Sequence, residues 1–203
     1  KAQGQQGSGS PYSAYGFGEL VGSTQVTQSL MGGTGVALAD PFSVSQVNPA
    51  SYTGLLHTCF EVGVAMRNRL YETATTSAQG RRTDLLGLTV GVPFGKGKWG
   101  LALGVNPVSN VGYKLTDQGS VTEGTVRYEY TGTGGLNRAF LGFGHTLWQN
   151  NDTLNKGGKL TVGANLNYLF GAVDESRKAF YPSGSGYYNS SATATLIVRS
   201  PMA

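Results

Sequence analysis

The chain has 203 residues, of which 13% are charged and 32 are glycine, and its formal net charge is +4. It contains no run of about 18 apolar residues, which excludes a membrane-spanning helix, and its single cysteine excludes an internal disulfide and a cysteine-based metal cluster. The positive charge is scattered and forms no basic run suited to nucleic acid. Low charge, abundant glycine and a mean hydropathy of −0.17 suit a transmembrane β-barrel, whose strands alternate apolar and polar residues.

The first 57 residues differ from the rest of the chain and form the first of two predicted units, an N-terminal extension with a hatch. Residues 31–52 are rich in glycine and small side chains, and Asp40 is their only charge. The dipeptides Asp40-Pro41 and Asn48-Pro49 are turn signals, because proline restricts the residue before it and interrupts regular structure. We expect turns and one or two short helices here, packed as a plug against the sheet that follows.

The second unit, residues 58–203, has the alternation of apolar with small or polar residues that is typical of β-strands. Strands are predicted over 58–71, over 82–94, from Trp99 onward, over 136–148, over 159–170 and from about 192. The polar stretches 72–81 and 171–191 are predicted loops, and 116–135 is a predicted hairpin extension. In the second strand, one face is predicted to carry Leu86, Leu88, Val90, Val92 and Phe94, with Leu85 on the opposite face.

Two architectures explain such strands, a transmembrane barrel and a soluble β-sandwich. The apolar faces would meet lipid in the barrel and a protein core in the sandwich. The opposite faces carry mainly glycine, asparagine, threonine and alanine, where a solvated face would carry more lysine and glutamate. We therefore predict an all-β fold, a transmembrane antiparallel β-barrel of which about six strands are present. Short turns after the second and fourth strands place the N-terminal segment on the periplasmic side.

The order of these features resembles the outer-membrane long-chain fatty-acid transporter family, of the FadL/TodX type. The resemblance is carried by residues 31–37, Asp40, residues 48–51 and residues 104–108, and the sequence style is similar to that of Bacteroidetes-type members. It implies a fourteen-stranded barrel in the bacterial outer membrane, with this chain as the N-terminal portion of a longer protein. It also implies a lumenal hatch that contains Gly32, Gly33, Asp40, Asn48 and Pro49.

Pro107 interrupts the third predicted strand. Proline cannot donate a ladder hydrogen bond, so it marks an edge, a bulge or a break. The transporter resemblance implies a kink at this point, through which a hydrophobic ligand leaves the barrel sideways. Asn106 and Pro107 are therefore the predicted strand kink and lateral exit.

Ligand binding is predicted at two places. Arg67 and Arg69 are cations on the lumen face that could hold a fatty-acid carboxylate; the alternative, which we favour, is that they pair with Glu61, Glu72 or Asp40. Aromatic residues of the last long loop could form an outer capture patch, or the loop could pack on itself. These aromatic residues are Phe180, Tyr181, Tyr187 and Tyr188.

The sequence offers no catalytic constellation, metal site or cofactor-binding motif. His57 and His145 are isolated, no serine, histidine and aspartate are spaced as a triad, and Cys59 reads as a small apolar residue at the start of a strand. We expect a protein that is not an enzyme and needs no cofactor.

Three functions are compared. The first is a channel for passive uptake of hydrophobic small molecules such as long-chain fatty acids, with the lipid bilayer and the hydrophobic ligand as partners. The second is a barrel component of an outer-membrane secretion or surface-assembly complex, which would bind other outer-membrane proteins, since one fold hosts many functions. The third, a membrane-embedded acyl-chain enzyme, has no supporting residue cluster. An apolar tunnel would favour transport, whereas a sealed lumen and a partner-facing loop patch would favour assembly.

Overall fold

A computed structural model describes residues 10–22, 25–72, 77–121, 124–150 and 157–202. The N-terminal segment, residues 10–57, contains little regular structure. It holds a first 3₁₀ helix (Pro11–Ala14), strand β1 (Glu19–Leu20), helix α1 (Val26–Leu30) and a second 3₁₀ helix (Pro49–Gly54). Six long strands follow: β2 (Cys59–Glu72), β3 (Ser77–Phe94), β4 (Trp99–Val121), β5 (Gly124–Gln149), β6 (Lys159–Phe180) and β7 (Ser190–Met202).

The long strands form one antiparallel sheet in which each strand pairs with its neighbour along the chain, from β2 to β7. The short β1 also joins this sheet, by pairing with β4. The predicted all-β, antiparallel fold is thereby confirmed. The sheet is open across the described residues, so closure into a barrel and the plugging action of the N-terminal segment stay predictions. No described helix has the length and apolar character needed to cross a membrane.

Two predicted loops are wrong in part, because the strands extend further than hydrophobic alternation suggests. β3 begins at Ser77, inside the predicted loop 72–81, and β6 continues to Phe180, well into the predicted loop 171–191. The added residues pair within hairpins, as Glu72 does with Ser77 and Arg127 with Phe180. A hairpin satisfies its backbone hydrogen bonds with any non-proline residue, so polar arms can remain strands after the apolar pattern ends.

The predicted facing of Leu86 is also wrong. Gly63 on β2 pairs with Gly87, and the next residue, Val64, pairs with Leu85, so Leu86 is an extra residue in β3. This β-bulge reverses the alternation along β3. Leu86 consequently points inward and is 5% exposed, whereas Leu85 points outward and is 58% exposed.

The two faces of the sheet differ in what covers them. The N-terminal segment packs on the inner face, where the core consists of Val44, Tyr52, Leu55, Ala102 and Phe140. The outer face carries exposed apolar side chains along every long strand from β2 to β7. Examples are Phe60, Val62, Val64, Leu88, Leu103, Val105, Leu141, Phe143, Leu166 and Ile197.

Candidate functional site

The second 3₁₀ helix rests on a patch of glycines on the inner face, which we call the glycine seat: Gly100, Gly142, Gly144 and Gly163. A Cβ added at any of them would collide with the helix, with Tyr52 at Gly100 and Gly142 and with Pro49 at Gly144 and Gly163. The absence of side chains lets two backbones approach closely. The glycines of the alternating pattern therefore position the N-terminal segment.

Tyr52 fixes the helix on the seat through a chain of hydrogen bonds. Its fully buried phenol donates to Asn165 Oδ1 of β6 over 3.0 Å. Asn165 Nδ2 in turn donates to the Gln46 carbonyl oxygen over 2.8 Å, and Arg138 Nη2 donates to Gln46 Oε1 over 2.7 Å. Burial raises the pKa of Tyr52 to about 12, so the phenol is a neutral donor at physiological pH.

A further contact joins the segment to the short-turn end of the sheet. Lys159 Nζ, at the first position of β6, donates to the Thr53 carbonyl oxygen over 3.0 Å. This carbonyl lies near the end of the second 3₁₀ helix, where backbone acceptors are otherwise left without partners and a cation is favoured. Together with the Tyr52 network, it gives the segment polar contacts at both ends of the glycine seat.

Strand β2 holds the other side of the N-terminal segment. Glu61 Oε1 accepts a hydrogen bond from the Val26 backbone N–H, at 3.2 Å, and Glu61 Oε2 accepts one from Ser43 Oγ, at 3.3 Å. Arg69 makes a two-pronged ion pair with Glu19 of β1, in which Arg69 Nη1 donates over 2.6 Å. Two-pronged arginine–carboxylate pairs combine charge with a fixed orientation.

The two predicted ligand cations are both engaged in ion pairs. Arg69 pairs with Glu19, and Arg67 Nη1 lies 3.8 Å from Asp84 Oδ2. Pairing was the favoured alternative in the sequence analysis, but neither partner was among the residues named there. Glu61 instead binds the N-terminal segment. A role for Arg67 and Arg69 in ligand binding stays a prediction.

The predicted hatch residues shape turns in the N-terminal segment. Gly32 and Gly33 follow α1 with φ of +70° and +85°, a backbone conformation that favours glycine. Asp40 Oδ1 accepts from the Phe42 N–H over 2.9 Å, which closes a turn. Asn48 precedes the second 3₁₀ helix, and Pro49 is its first residue.

Asn106 and Pro107 lie where β3 and β4 part. Their pairing ends at Leu88 and Val105, and β4 has a bulge between Pro107 and Ser109. Asn106 is fully buried, with no hydrogen-bond partner for its side-chain amide among the described residues.

A cavity of about 400 Å³ adjoins this bulge. It brings one predicted hatch residue, Gly33, together with Pro107, and Arg138 supplies a cation in its lining. The predicted ligand residues Arg67, Arg69, Phe180 and Tyr181 are absent from that lining. The cavity wall comprises Leu20, Val21, Gly22, Gln28, Gly33, Gln46, Val47, Pro107, Val108 and Arg138.

The aromatic residues of the last loop lie at the end of the sheet remote from the glycine seat. Tyr181 and Tyr187 stack with ring centroids 5.3 Å apart, and Phe180 receives the Arg127 guanidinium 4.9 Å above its ring. Tyr188 is 92% exposed. The loop therefore packs partly on itself, which is one of the two alternatives predicted from the sequence, and it leaves an aromatic surface exposed; a role as a capture patch stays a prediction. We call Phe180, Tyr181, Tyr187 and Tyr188 the aromatic patch.

Sequence reasoning missed the residues that connect the segment to the sheet. Tyr52 ends the glycine-rich stretch at residues 31–52, and Asn165 is one of the asparagines that alternate with apolar residues in the strand predicted over 159–170, but no pattern indicated that the two meet. Among the described residues, no group of three histidine, cysteine, aspartate or glutamate side chains could hold a metal ion. His145 stacks on Trp99, with ring centroids 3.7 Å apart.

Comparison with known proteins gives one family. A protein-family model described as BamG matches residues 1–195, nearly the whole chain. No curated protein and no solved structure matches significantly. The BamG family is associated with the bacterial outer membrane, so the predicted location is confirmed, and its name points to the outer-membrane assembly machinery, BAM.

The match overturns the resemblance to the fatty-acid transporter family. The motifs at residues 31–37 and 48–51 are short and rich in glycine and proline. They therefore indicate that the backbone turns at these places, and they do not indicate what the protein binds or transports. Fatty-acid transport and a lipid ligand are therefore not supported, and a lateral exit at Asn106 and Pro107 loses its basis. The match favours the assembly alternative.

Proposed function

Since the chain belongs to the BamG family, we propose that it is a non-enzymatic structural component of the outer-membrane assembly machinery, which binds other assembly proteins through its aromatic patch. The family match carries this proposal. Passage of a small molecule plays no part in it.

The filled inner face of the sheet supports a structural role. The second 3₁₀ helix occupies the glycine seat at van der Waals distance, and Tyr52, Gln46, Arg138 and Asn165 tie it down. A channel would have to break this partly buried network to admit a ligand, and a polar group that becomes buried without a partner costs about 1–3 kcal/mol.

The aromatic patch supports a role in binding protein. Tyrosine and arginine are enriched at protein interfaces, because they offer a large apolar surface together with a hydrogen-bonding group. Tyr187 and Tyr188 are exposed, while the Tyr181 ring and the Arg127–Phe180 contact hold the patch in shape. A preformed surface loses little conformational entropy on binding.

The proposal is tested by isolating the tagged protein from outer membranes with a mild detergent and identifying the assembly proteins that accompany it. The variant Tyr187→Ser with Tyr188→Ser should lose those proteins while it stays in the membrane fraction. Tyr168→Ser is the matched control, since Tyr168 is an exposed tyrosine on the outer sheet face, and it should keep them. The proposed function is wrong if no assembly protein accompanies the unaltered protein, and the assignment to the patch is wrong if the double variant retains its partners.

A further inference from the structure

A cleft opens in the sheet between β3 and β4. The two strands pair over seven residue pairs, from Phe94 with Trp99 to Leu88 with Val105. Beyond that point β3 stays with β2 as far as Ser77, and β4 stays with β5 as far as Val121. Two strand edges therefore face one another across the cleft without a common ladder between them.

Residues at the point where β3 and β4 part explain why the two strands separate there. β3 carries the Leu86 bulge and Gly87, whose φ is +138°. β4 carries Pro107, which has no N–H to donate, and its own bulge. A Cβ at Gly87 would collide with the Asn106 side chain, so this glycine lets the two strands meet at the last point before they part.

The edge of β4 already accepts a strand. β1 pairs with it antiparallel, Glu19 opposite Asn110 and Leu20 opposite Ser109, and the Val21 N–H donates to the Val108 carbonyl over 2.9 Å. Higher on the same edge, the Gly112 N–H donates to Ser13 Oγ over 3.2 Å. Among the described residues, these hydrogen bonds of the N-terminal segment reach along the edge as far as Gly112.

Above Gly112 the edge of β4 meets no further strand among the residues described. Because alternate residues of a strand direct their backbone polar groups to the same side, those of Lys114, Thr116, Gln118 and Ser120 point into the cleft, as those of Val108 and Gly112 do. The Gln118 N–H donates to Asp117 Oδ1 over 2.9 Å, so an added strand would have to displace this local contact. Open edges of this length are normally covered or shortened, since they recruit other chains. Lys114 and Asp117 restrict such recruitment to strands with complementary residues.

We infer that the β4 edge from Lys114 to Ser120 is a docking site for an extended β-strand of another polypeptide, which adds antiparallel to β4 directly beyond the contacts of the N-terminal segment. Main-chain hydrogen bonds supply the affinity in this mode of recognition, and alternate side chains supply the selectivity. The occupant is a strand of an incompletely folded outer-membrane protein; only this identity rests on the proposed function. The inference that this edge binds a strand is independent of the proposed function, because it is based on the pairing of β1 with β4 and on the open edge beyond it.

The test uses disulfide cross-linking to a synthetic peptide. The probe copies residues 160–171 of β6, which alternate like a membrane strand, with cysteine in place of Ala164. The full chain, with Cys59→Ala, receives a single cysteine at Lys114, Leu115, Thr116, Asp117 or Gln118 in turn. A docked strand should cross-link at alternate positions and fall to background at those between, because neighbouring side chains point to opposite faces.

A peptide with prolines replacing Gly163 and Asn165 is the control, since it lacks two backbone donors, and its cross-links should fall to background. Equal yields at all five positions, no cross-links, or undiminished yields with the proline peptide would overturn the inference. The five sites are read independently, so a failure of one variant to fold leaves the alternation measurable in the others. If the cross-links do not alternate but assembly proteins still co-purify with the chain, the strand site alone is rejected. If the cross-links alternate but no assembly protein co-purifies, the proposed function is rejected.

Discussion

At the scale of single residues, Tyr52 is the side chain on which the position of the N-terminal segment most depends. Its ring lies in the core with Val44 and Leu55, and its hydroxyl bonds to Asn165. The substitution Tyr52→Phe keeps the ring but leaves a partly buried amide oxygen without this donor, and should lower the free energy of unfolding by about 1–2 kcal/mol. Denaturant unfolding in detergent measures the change. The matched Tyr188→Phe, at an exposed tyrosine, should have no effect; equal losses would contradict the role of the Asn165 contact.

The same tyrosine predicts a response to alkali. The pKa of Tyr52 is about 12 in the folded protein, against 10.0 for a free tyrosine. Folding therefore favours the neutral phenol. Its contribution is complete below pH 10 and is lost as the pH rises from 10 towards 12, by about 1.4 kcal/mol per pH unit.

Unfolding measured from pH 8 to 12 should accordingly show a steeper loss of stability in the unaltered protein than in Tyr52→Phe. The other tyrosines are common to both proteins, so the difference between the two curves isolates this group. Parallel curves would mean that Tyr52 titrates normally.

At the scale of secondary-structure elements, the glycine seat requires the absence of side chains. Gly163→Val places a branched side chain where Pro49 lies, so the second 3₁₀ helix should be displaced while the strands remain paired. Proteolysis should then cut the N-terminal segment much faster than in the unaltered protein. Ala164→Val, the next residue on the exposed face of β6, is the control and should leave cleavage unchanged. Equal protection of both variants would show that the seat tolerates a side chain.

Alternation along the chain predicted the strands well because each of their faces has a uniform environment. It failed at Leu86, where one inserted residue reverses the facing of the rest of β3. A bulge leaves no mark in the hydrophobic pattern when both residues concerned are leucine, as Leu85 and Leu86 are. The ion pairs of Arg67 and Arg69 were likewise beyond reach, because Asp84 and Glu19 are fixed by strand register and by the path of the N-terminal segment.

At the scale of the whole molecule, the exposed apolar outer face agrees with an outer-membrane protein. We expect this face to contact lipid, so Leu166→Arg should reduce folding in the membrane by about 2–4 kcal/mol. The measurement is the folded fraction recovered from outer membranes, read from heat-dependent electrophoretic mobility. Thr133→Arg is the control, because Thr133 is exposed on the same face near the long-loop end. A similar loss in both would indicate a general effect of charge rather than burial in lipid.

The sequence was therefore sufficient to predict an all-β outer-membrane protein, but not to predict which role the protein has there. Low charge and alternating apolar residues are typical of outer-membrane strands, so they were enough to predict the location. The aromatic patch, in contrast, depends on a loop whose rings meet only after β6 and β7 pair. Function resides in such sites rather than in the fold.

The contacts of Tyr52 also set an order of events during biosynthesis. Its hydroxyl partner is 113 residues away in the sequence, and the Gln46–Asn165 bond spans 119 residues. The N-terminal segment is made before the sheet, yet its binding surface is complete only once β6 has been added to the sheet. Until then the Tyr52 hydroxyl lacks its partner Asn165, whereas Val44 and Leu55 can already pack on Gly91 of β3 and Ala102 of β4. The N-terminal segment thus depends for its last polar contacts on a residue made more than 100 positions later, since Asn165 follows Tyr52 by 113 residues and Gln46 by 119.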